Sequence, residues 1–321
     1  MGEGVFFLKN TGLKRLEVVS PEKFTTPNKM KIRRVISPLI RKVILWSAHK
    51  KVIVEDYPKL DDDQYIFSST HYFTEDIQVG IGSLDRNAWA LIGTTDQLEH
   101  NPRMYGGWLN GIIYVDRNND KSRKDSLKKM EYILNNGGNV LIYPEGGWNT
   151  TENLLVQTLF ASPYKLCCST GKKVVPIAIY NERDNDIIYV KAGEPMDLSV
   201  YEKKEALTIL RDQMATLMYD LIEKYSKPIV RKELTGDIHL KHMEEIKNDY
   251  LKAKWTRDVW DEELTVYRDK SITTPEMVNK VVDNVDINAS NAGIYAPVLV
   301  DRERDKKYDI KVYMKKNWNK K

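Results

Sequence analysis

The chain has 321 residues, which is enough for one large domain with an appendage or for two domains. Its 50 Lys and Arg nearly balance its 46 Asp and Glu, so the net charge of +4 gives no argument for nucleic-acid binding. The two cysteines, Cys167 and Cys168, are adjacent, which favours a reducing compartment over a disulfide framework. Because the sequence contains neither a signal-peptide pattern nor an apolar run of about 20 residues, we expect a cytoplasmic protein without a membrane span.

Residues 1–28 show little periodicity and are predicted to form an N-terminal extension, whereas residues 29–48 have helical spacing. The apolar stripe of this helix contains Ile32, Val35, Ile36, Leu39, Val43 and Trp46. The cations Lys31, Arg34, Arg41 and Lys42 point largely away from it. Two interpretations remain open: a basic amphipathic helix that lies in an anionic membrane surface, and an ordinary helix that packs on the core. The pair Ser37-Pro38 predicts either a kink or a restart of the helix.

Strands and helices alternate along the following residues. Strands are predicted at 51–54, 64–69, 88–93, 111–116, 139–143, 173–180 and 186–191. Helices are predicted at 74–84, 103–109, 121–135, 154–170 and 202–226. Short apolar runs separated by helices are typical of an α/β fold whose mostly parallel sheet is covered by helices on both faces. The polar turn before residue 187 predicts that the last two strands form an antiparallel hairpin at an edge of the sheet.

The tripeptide Ser226-Lys227-Pro228 ends the last long helix and predicts a domain boundary. We therefore expect one domain at residues 29–228, which includes the amphipathic helix 29–48. Residues 229–321 are predicted to be a C-terminal helical extension of unknown role. His239 and His242 in this extension have a spacing that a metal site could use, but a solvated charged helix is favoured and no metal site is predicted.

His71 and Asp76 form the first candidate catalytic pair, directly after the apolar run of a predicted strand. Five positions along a regular helix would leave them about 140° apart, so we expect His71 in the loop and Asp76 in the first helical turn. There the carboxylate can hold a neutral imidazole in the tautomer of a general base. Since the patterns Gly-x-Ser-x-Gly and His-Glu-x-x-His are absent, we expect the substrate to supply the nucleophile.

Two further strands are each followed by an ionisable residue. Arg117 follows one strand at the sheet edge where α/β folds place ligands, and its guanidinium suits a phosphate or a carboxylate. Glu145 stands in a turn whose glycines, Gly146 and Gly147, let a ligand approach the backbone. Taken alone, Arg117 is equally compatible with a salt bridge to Asp116, and Glu145 with a solvated turn residue.

Taken together, the segments resemble the glycerolipid acyltransferase family, the lysophospholipid and lysophosphatidic acid acyltransferases. The resemblance covers roughly residues 30–228. Its four blocks are His-x4-Asp at 71–76, the segment 111–117, a Phe-Pro-Glu-Gly-like turn at 143–146 and a Val-Pro-Ile-like strand at 174–178. It implies that His71 takes the proton from an acceptor hydroxyl that attacks an acyl thioester. It also implies that Asp76 orients His71, that Arg117 contacts a phosphate, and that Glu145 and Gly146 line the acceptor pocket.

The resemblance further implies the substrates. The donor is expected to be acyl-CoA or an acyl carrier protein, and the acceptor a lysophospholipid such as 1-acylglycerol-3-phosphate. The chemistry requires no metal and no cofactor, because a thioester already has a good leaving group. We expect such an enzyme of phospholipid biosynthesis to be peripherally associated with the inner face of the membrane, with the apolar stripe facing the lipid.

The chain departs from the family pattern after Glu145. The family usually continues with Thr-Arg-Ser, whereas this chain has Gly147-Trp148-Asn149, which removes a cation near a phosphate. In addition, Thr70 replaces the asparagine that often precedes the histidine. These changes leave the acceptor open between lysophosphatidate and a sugar, a glycolipid or another hydroxylated lipid that stacks on Trp148. Trp148 as simple packing, a non-catalytic lipid-binding homologue and a hydrolase are further alternatives.

Overall fold

The computed structural model describes residues 19–71, 73, 75–93, 109–116, 119–149, 154–181, 186–227, 241 and 244. Their helices are α1 (Pro21–Phe24), α2 (Pro27–Ser47), α3 (Asp76–Ser83), α4 (Asp120–Asn135), α5 (Ser162–Thr170) and α6 (Lys203–Tyr225). Their strands are β1 (Lys51–Val54), β2 (Ile66–Ser69), β3 (Ala88–Gly93), β4 (Ile112–Val115), β5 (Asn139–Ile142), β6 (Val174–Asn181) and β7 (Ile187–Ala192). All seven strands lie within two residues of their predicted bounds.

The strands form one sheet in the order β1-β7-β6-β2-β5-β3-β4. Every neighbouring pair is parallel except β6 and β7, so the fold is the predicted α/β class with a mostly parallel sheet. The antiparallel hairpin is confirmed, but its position at an edge is wrong. Strand β1 pairs with β7 and occupies that edge, because Lys51 to Val54 align with Ile187 to Val190.

Helices cover both faces of the sheet, as predicted. Successive residues of β2 point to opposite faces, so that Phe67 packs with α2 and α3, and Ile66 packs with α4, α5 and α6. The strands β2, β4 and β5 are buried along their whole length. Burial on both faces explains why these strands are continuous apolar runs in the sequence.

Helix α2 packs on the core with the face opposite to the predicted stripe. Met30, Ile40 and Ile44 are its buried apolar residues. The six stripe residues, Ile32, Val35, Ile36, Leu39, Val43 and Trp46, are 38 to 79% exposed. The stripe is therefore not what holds α2 to the domain. The helix also runs unbroken through Pro38, so the restart considered at that position does not occur. Within the described residues, no helix has the length and apolar character to cross a membrane.

The helix predicted at 154–170 begins only at Ser162. Pro163 lies in its first turn, a position that favours helix initiation. Ahead of it, backbone N–H groups that a helix would use internally make long-range bonds instead: the Gln157 N–H donates to Glu145 and the Phe160 N–H donates to the Pro144 carbonyl. The apolar spacing of Leu155, Val156 and Leu159 imitates a helix. The contacts that determine this segment are thus remote in the sequence.

Candidate active site

His71 and Asp76 lie together at the carboxyl end of β2. The His71 Nδ1 and Asp76 Oδ2 atoms are 2.8 Å apart, and Asp76 is completely buried as the first residue of α3. The same carboxylate oxygen accepts the backbone N–H of Phe73 at 3.1 Å. The carboxylate assigns the proton of the neutral imidazole to Nδ1, which leaves Nε2 as the nitrogen that can accept a proton. The arrangement is the loop histidine and first-turn aspartate that the spacing predicts.

Glu145 is 1% exposed, and both of its oxygens face backbone N–H groups. Its Oε1 accepts from His71 N at 3.0 Å, and its Oε2 accepts from Gln157 N at 2.9 Å. Burial raises the pKa of Glu145 to about 8, although the two N–H donors oppose that shift. The Glu145 carboxyl group therefore connects the backbone of the histidine loop to the backbone around Gln157 by hydrogen bonds.

Tyr143 packs beside the histidine, with ring centroids 5.0 Å apart. Its hydroxyl donates to the carbonyl oxygens of Asp76 at 3.2 Å and Ile77 at 3.4 Å, in the first turn of α3. Burial raises the pKa of Tyr143 well above its usual value, so the hydroxyl stays a donor. Gly80 makes room for this hydroxyl, because a Cβ atom there would lie 2.3 Å from it. Tyr143 therefore links the first turn of α3 to the imidazole.

The turn after Glu145 places an indole beside the imidazole. Gly146 has φ of 76°, a left-handed conformation that favours glycine. The centroids of the Trp148 and His71 rings are 6.4 Å apart, and the ring planes are nearly perpendicular. Gln157 holds this turn, since its Nε2 donates to the Gly147 carbonyl at 3.1 Å and to the Trp148 carbonyl at 3.3 Å. An aromatic surface thus stands where the family pattern has a cation.

The structure brings five of the predicted site residues together: His71, Asp76, Glu145, Gly147 and Trp148. Gly146 lies between them in the same turn.

Arg117 lies outside the described residues, as do His239 and His242. Sequence reasoning missed Tyr143 and Gln157 as members of this cluster. Tyr143 carries a signal, because it stands at the phenylalanine position of a recognised block. Gln157 carries none, because it belongs to no block and makes its contacts over nine to twelve positions in the sequence.

Fold and geometry define a class: an α/β protein with a carboxylate-held histidine at the carboxyl edge of a parallel sheet, suited to removing a proton from a hydroxyl. Residues 54–180 match the family model described as Acyltransferase. This region contains all the histidine, glutamate and strand residues of the four blocks.

Two known proteins are similar to parts of the chain. The 1-acyl-sn-glycerol-3-phosphate acyltransferase of Borreliella burgdorferi is 26% identical over 117 residues, which cover 32% of this chain and 46% of that protein. The chain thus spans about half the length of this curated relative. The crystal structure of the 1-acyl-sn-glycerophosphate (LPA) acyltransferase PlsC from Thermotoga maritima has a TM-score of 0.48 and 18% identity, and the match covers 70% of this chain and 90% of that one.

Proposed function

We propose that this protein is an O-acyltransferase that moves a fatty acyl group from an acyl thioester, acyl-CoA or an acyl carrier protein, to a lysophospholipid hydroxyl. The proposed acceptor is 1-acylglycerol-3-phosphate or a close relative. The observation that carries the proposal is the 2.8 Å contact between His71 Nδ1 and Asp76 Oδ2 inside the region that matches the Acyltransferase family model. The name of the Borreliella burgdorferi relative supports the choice of acceptor.

In the proposed mechanism His71 is the general base. Its Nε2 takes the proton of the acceptor hydroxyl while the acceptor oxygen attacks the thioester carbonyl. Asp76 holds the Nδ1–H in place and stabilises the imidazolium that forms. When the tetrahedral intermediate collapses, the carbon–sulfur bond breaks and the leaving thiolate receives the proton from the imidazolium. The products are an ester and a free thiol, and no metal takes part.

A second candidate acceptor is favoured by one observation. Trp148, not a basic residue, stands beside the His71 ring. An indole can stack on a sugar or contact an uncharged lipid, whereas it offers no charge to a phosphate. A glycolipid, a sugar or another hydroxylated lipid is therefore the alternative acceptor. In the lysophosphatidate case the phosphate contact would come from Arg117, as the resemblance implies.

We also propose that α2 holds the protein peripherally on the anionic inner face of the membrane. Val35, Leu39 and Trp46 are 79, 68 and 76% exposed, which is unusual for large apolar residues on one helix face. Lys31 and Lys42 are exposed on the same helix and can meet anionic headgroups. Arg33 and Arg34 serve another purpose, because their guanidinium groups donate to the Leu109 and Gly137 carbonyls of the domain.

Co-sedimentation with vesicles of anionic phospholipid tests the membrane proposal. The variant Val35→Ser, Leu39→Ser, Trp46→Ser should remain in the supernatant while the wild type sediments, since it loses most of the apolar surface available for insertion. Because these side chains are exposed, its thermal unfolding should match the wild type. Equal sedimentation of both proteins would rule out the stripe as the membrane contact.

Product analysis tests the reaction. The purified protein is mixed with palmitoyl-CoA and either 1-oleoylglycerol-3-phosphate or an uncharged lysolipid, and esterified lipid, free fatty acid and free thiol are measured. We expect esterified lipid and free thiol in equal amounts. Free fatty acid with thiol would identify a hydrolase in which water is the acceptor. Absence of free thiol with every acceptor would favour a non-catalytic lipid-binding protein.

A further inference from the structure

Gln157 lies at the centre of the hydrogen bonds that surround the histidine, although no sequence motif includes it. Its backbone N–H donates to Glu145 Oε2 at 2.9 Å. Its side-chain amide donates to two successive carbonyl oxygens, those of Gly147 at 3.1 Å and Trp148 at 3.3 Å. One residue thus contacts both the buried carboxylate and the turn that carries the indole.

Together with two hydrogen bonds of the His71 backbone, these bonds form a closed ring of contacts. The His71 N–H donates to the other oxygen of Glu145 at 3.0 Å, and the His71 carbonyl accepts from Asn149 N at 2.8 Å. Asn149 directly follows Trp148, so the turn held by Gln157 is also bonded to the histidine backbone. Any change in the turn therefore alters the position of the indole relative to the imidazole.

The local sequence explains why the turn needs an external support. Gly146 and Gly147 leave the backbone unusually free to change conformation, and such freedom has an entropic cost when the turn is fixed. The Gln157 amide restrains two adjacent peptide groups directly after these glycines. The restraint comes from its side chain, whereas the bond to Glu145 comes from its backbone. A side-chain substitution can therefore release the turn and leave the Glu145 anchor in place.

We propose that Gln157 is a positioning residue that fixes Trp148 against His71 and thereby sets which acceptor hydroxyls fit beside the base. The proposal rests on the acyltransferase function proposed above. Gln157 acts through the turn and touches no substrate. The glutamine amide is suited to this task because it can donate to two carbonyl oxygens at once and carries no charge into a partly buried site.

The test compares Gln157→Leu with the wild-type full chain, using palmitoyl-CoA and two acceptors, 1-oleoylglycerol-3-phosphate and 1-oleoylglycerol. The readout is the ratio of the two kcat/KM values, which is independent of the fraction of active protein. Leucine keeps the size of the side chain but donates no hydrogen bond. Loss of the two bonds should change the ratio by about fivefold or more.

Leu221→Ala is the matched control for lost stability, because Leu221 is fully buried in α6 and belongs to a different part of the core. It should lower the melting temperature and leave the acceptor ratio within about twofold of the wild type. The proposal is overturned when Gln157→Leu also leaves the ratio unchanged.

A wild type that transfers no acyl group to either acceptor would refute the two lysolipids as acceptors, and amide hydrogen exchange then decides the role of Gln157. Exchange at His71 and Asn149, each measured relative to the β3 amides, should be about fivefold faster in Gln157→Leu than in Leu221→Ala. Equal relative exchange in the two variants would overturn the positioning role.

Discussion

The histidine site buries ionisable residues, whereas helix α2 exposes large apolar residues. At the site, the carboxylates of Asp76 and Glu145 are buried and bonded to nearby donors. On α2, a row of large apolar residues is exposed, while Arg33 and Arg34 donate hydrogen bonds to the domain beside the buried apolar face. Because burial of an ionisable group and exposure of large apolar surface both cost free energy, each arrangement indicates a function.

The contacts of the two regions also involve different ends of the strands. His71 and Glu145 follow the carboxyl ends of β2 and β5. Helix α2 contacts the other ends: Arg34 donates to the Gly137 carbonyl just before β5, and Arg33 lies over the Trp89 ring near the start of β3.

The largest expected effect concerns the site. Asp76→Asn should lower kcat by about 10³-fold, because an amide nitrogen facing Nδ1 favours the wrong imidazole tautomer. The KM for the acceptor should change little. Steady-state kinetics checks this, with Asp212→Asn as control, since Asp212 is 61% exposed on α6. A kcat of Asp76→Asn within tenfold of the wild-type value would show that catalysis does not depend on the carboxylate.

The next effect concerns the buried Glu145. Its pKa of about 8 in the folded state lies above the ordinary 4.5, so the folded state binds the proton more tightly. The resulting stability is complete below pH 4.5 and is lost as the pH rises through 8. The free energy of unfolding should fall by up to about 4 kcal/mol between pH 5 and pH 8. Urea denaturation at several pH values should show a smaller fall of the free energy of unfolding in Glu145→Gln than in the wild type. An equal fall in both proteins would contradict a proton on the buried Glu145.

A smaller effect is expected at Gly80. A Cβ atom there meets the Tyr143 hydroxyl, so Gly80→Ala should lower the free energy of unfolding by about 2 to 3 kcal/mol. Adding Tyr143→Phe removes the hydroxyl, and the nearest remaining atoms lie at 3.4 and 3.5 Å, which is ordinary contact. The double variant should thus be more stable than Gly80→Ala alone. Additive losses in this double-mutant cycle would show that the hydroxyl is not the obstacle.

The smallest effect concerns the exposed cations of α2. Lys31→Gln with Lys42→Gln should weaken binding to anionic vesicles by about 2 kcal/mol and leave binding to neutral vesicles unchanged. Sedimentation at two salt concentrations measures this. Arg33→Gln with Arg34→Gln is the contrasting pair, and it should lower thermal stability because these side chains bond to the domain. If both pairs weaken vesicle binding equally, the division between lipid-facing and domain-facing cations is wrong.

The features that depend on local sequence pattern are mostly predicted correctly. Apolar runs identify the strands, and the five-residue spacing from His71 to Asp76 predicts a loop and a helix start. The exposed stripe on α2 could not be separated from a core-facing one, because periodicity gives the face of a helix but not its partner. The edge position of β1 and the non-helical segment around Gln157 depend on contacts with remote residues. Those contacts leave no local pattern.

The central claim is that the His71 imidazole removes the acceptor proton. The most direct test is the kinetics of His71→Ala with palmitoyl-CoA and 1-oleoylglycerol-3-phosphate, or with the acceptor that product analysis identifies. Acyl transfer should fall by about 10⁴-fold while thermal unfolding stays that of a folded domain. His49→Asn, at the exposed histidine after α2, should keep wild-type activity. Wild-type turnover in His71→Ala would contradict the account.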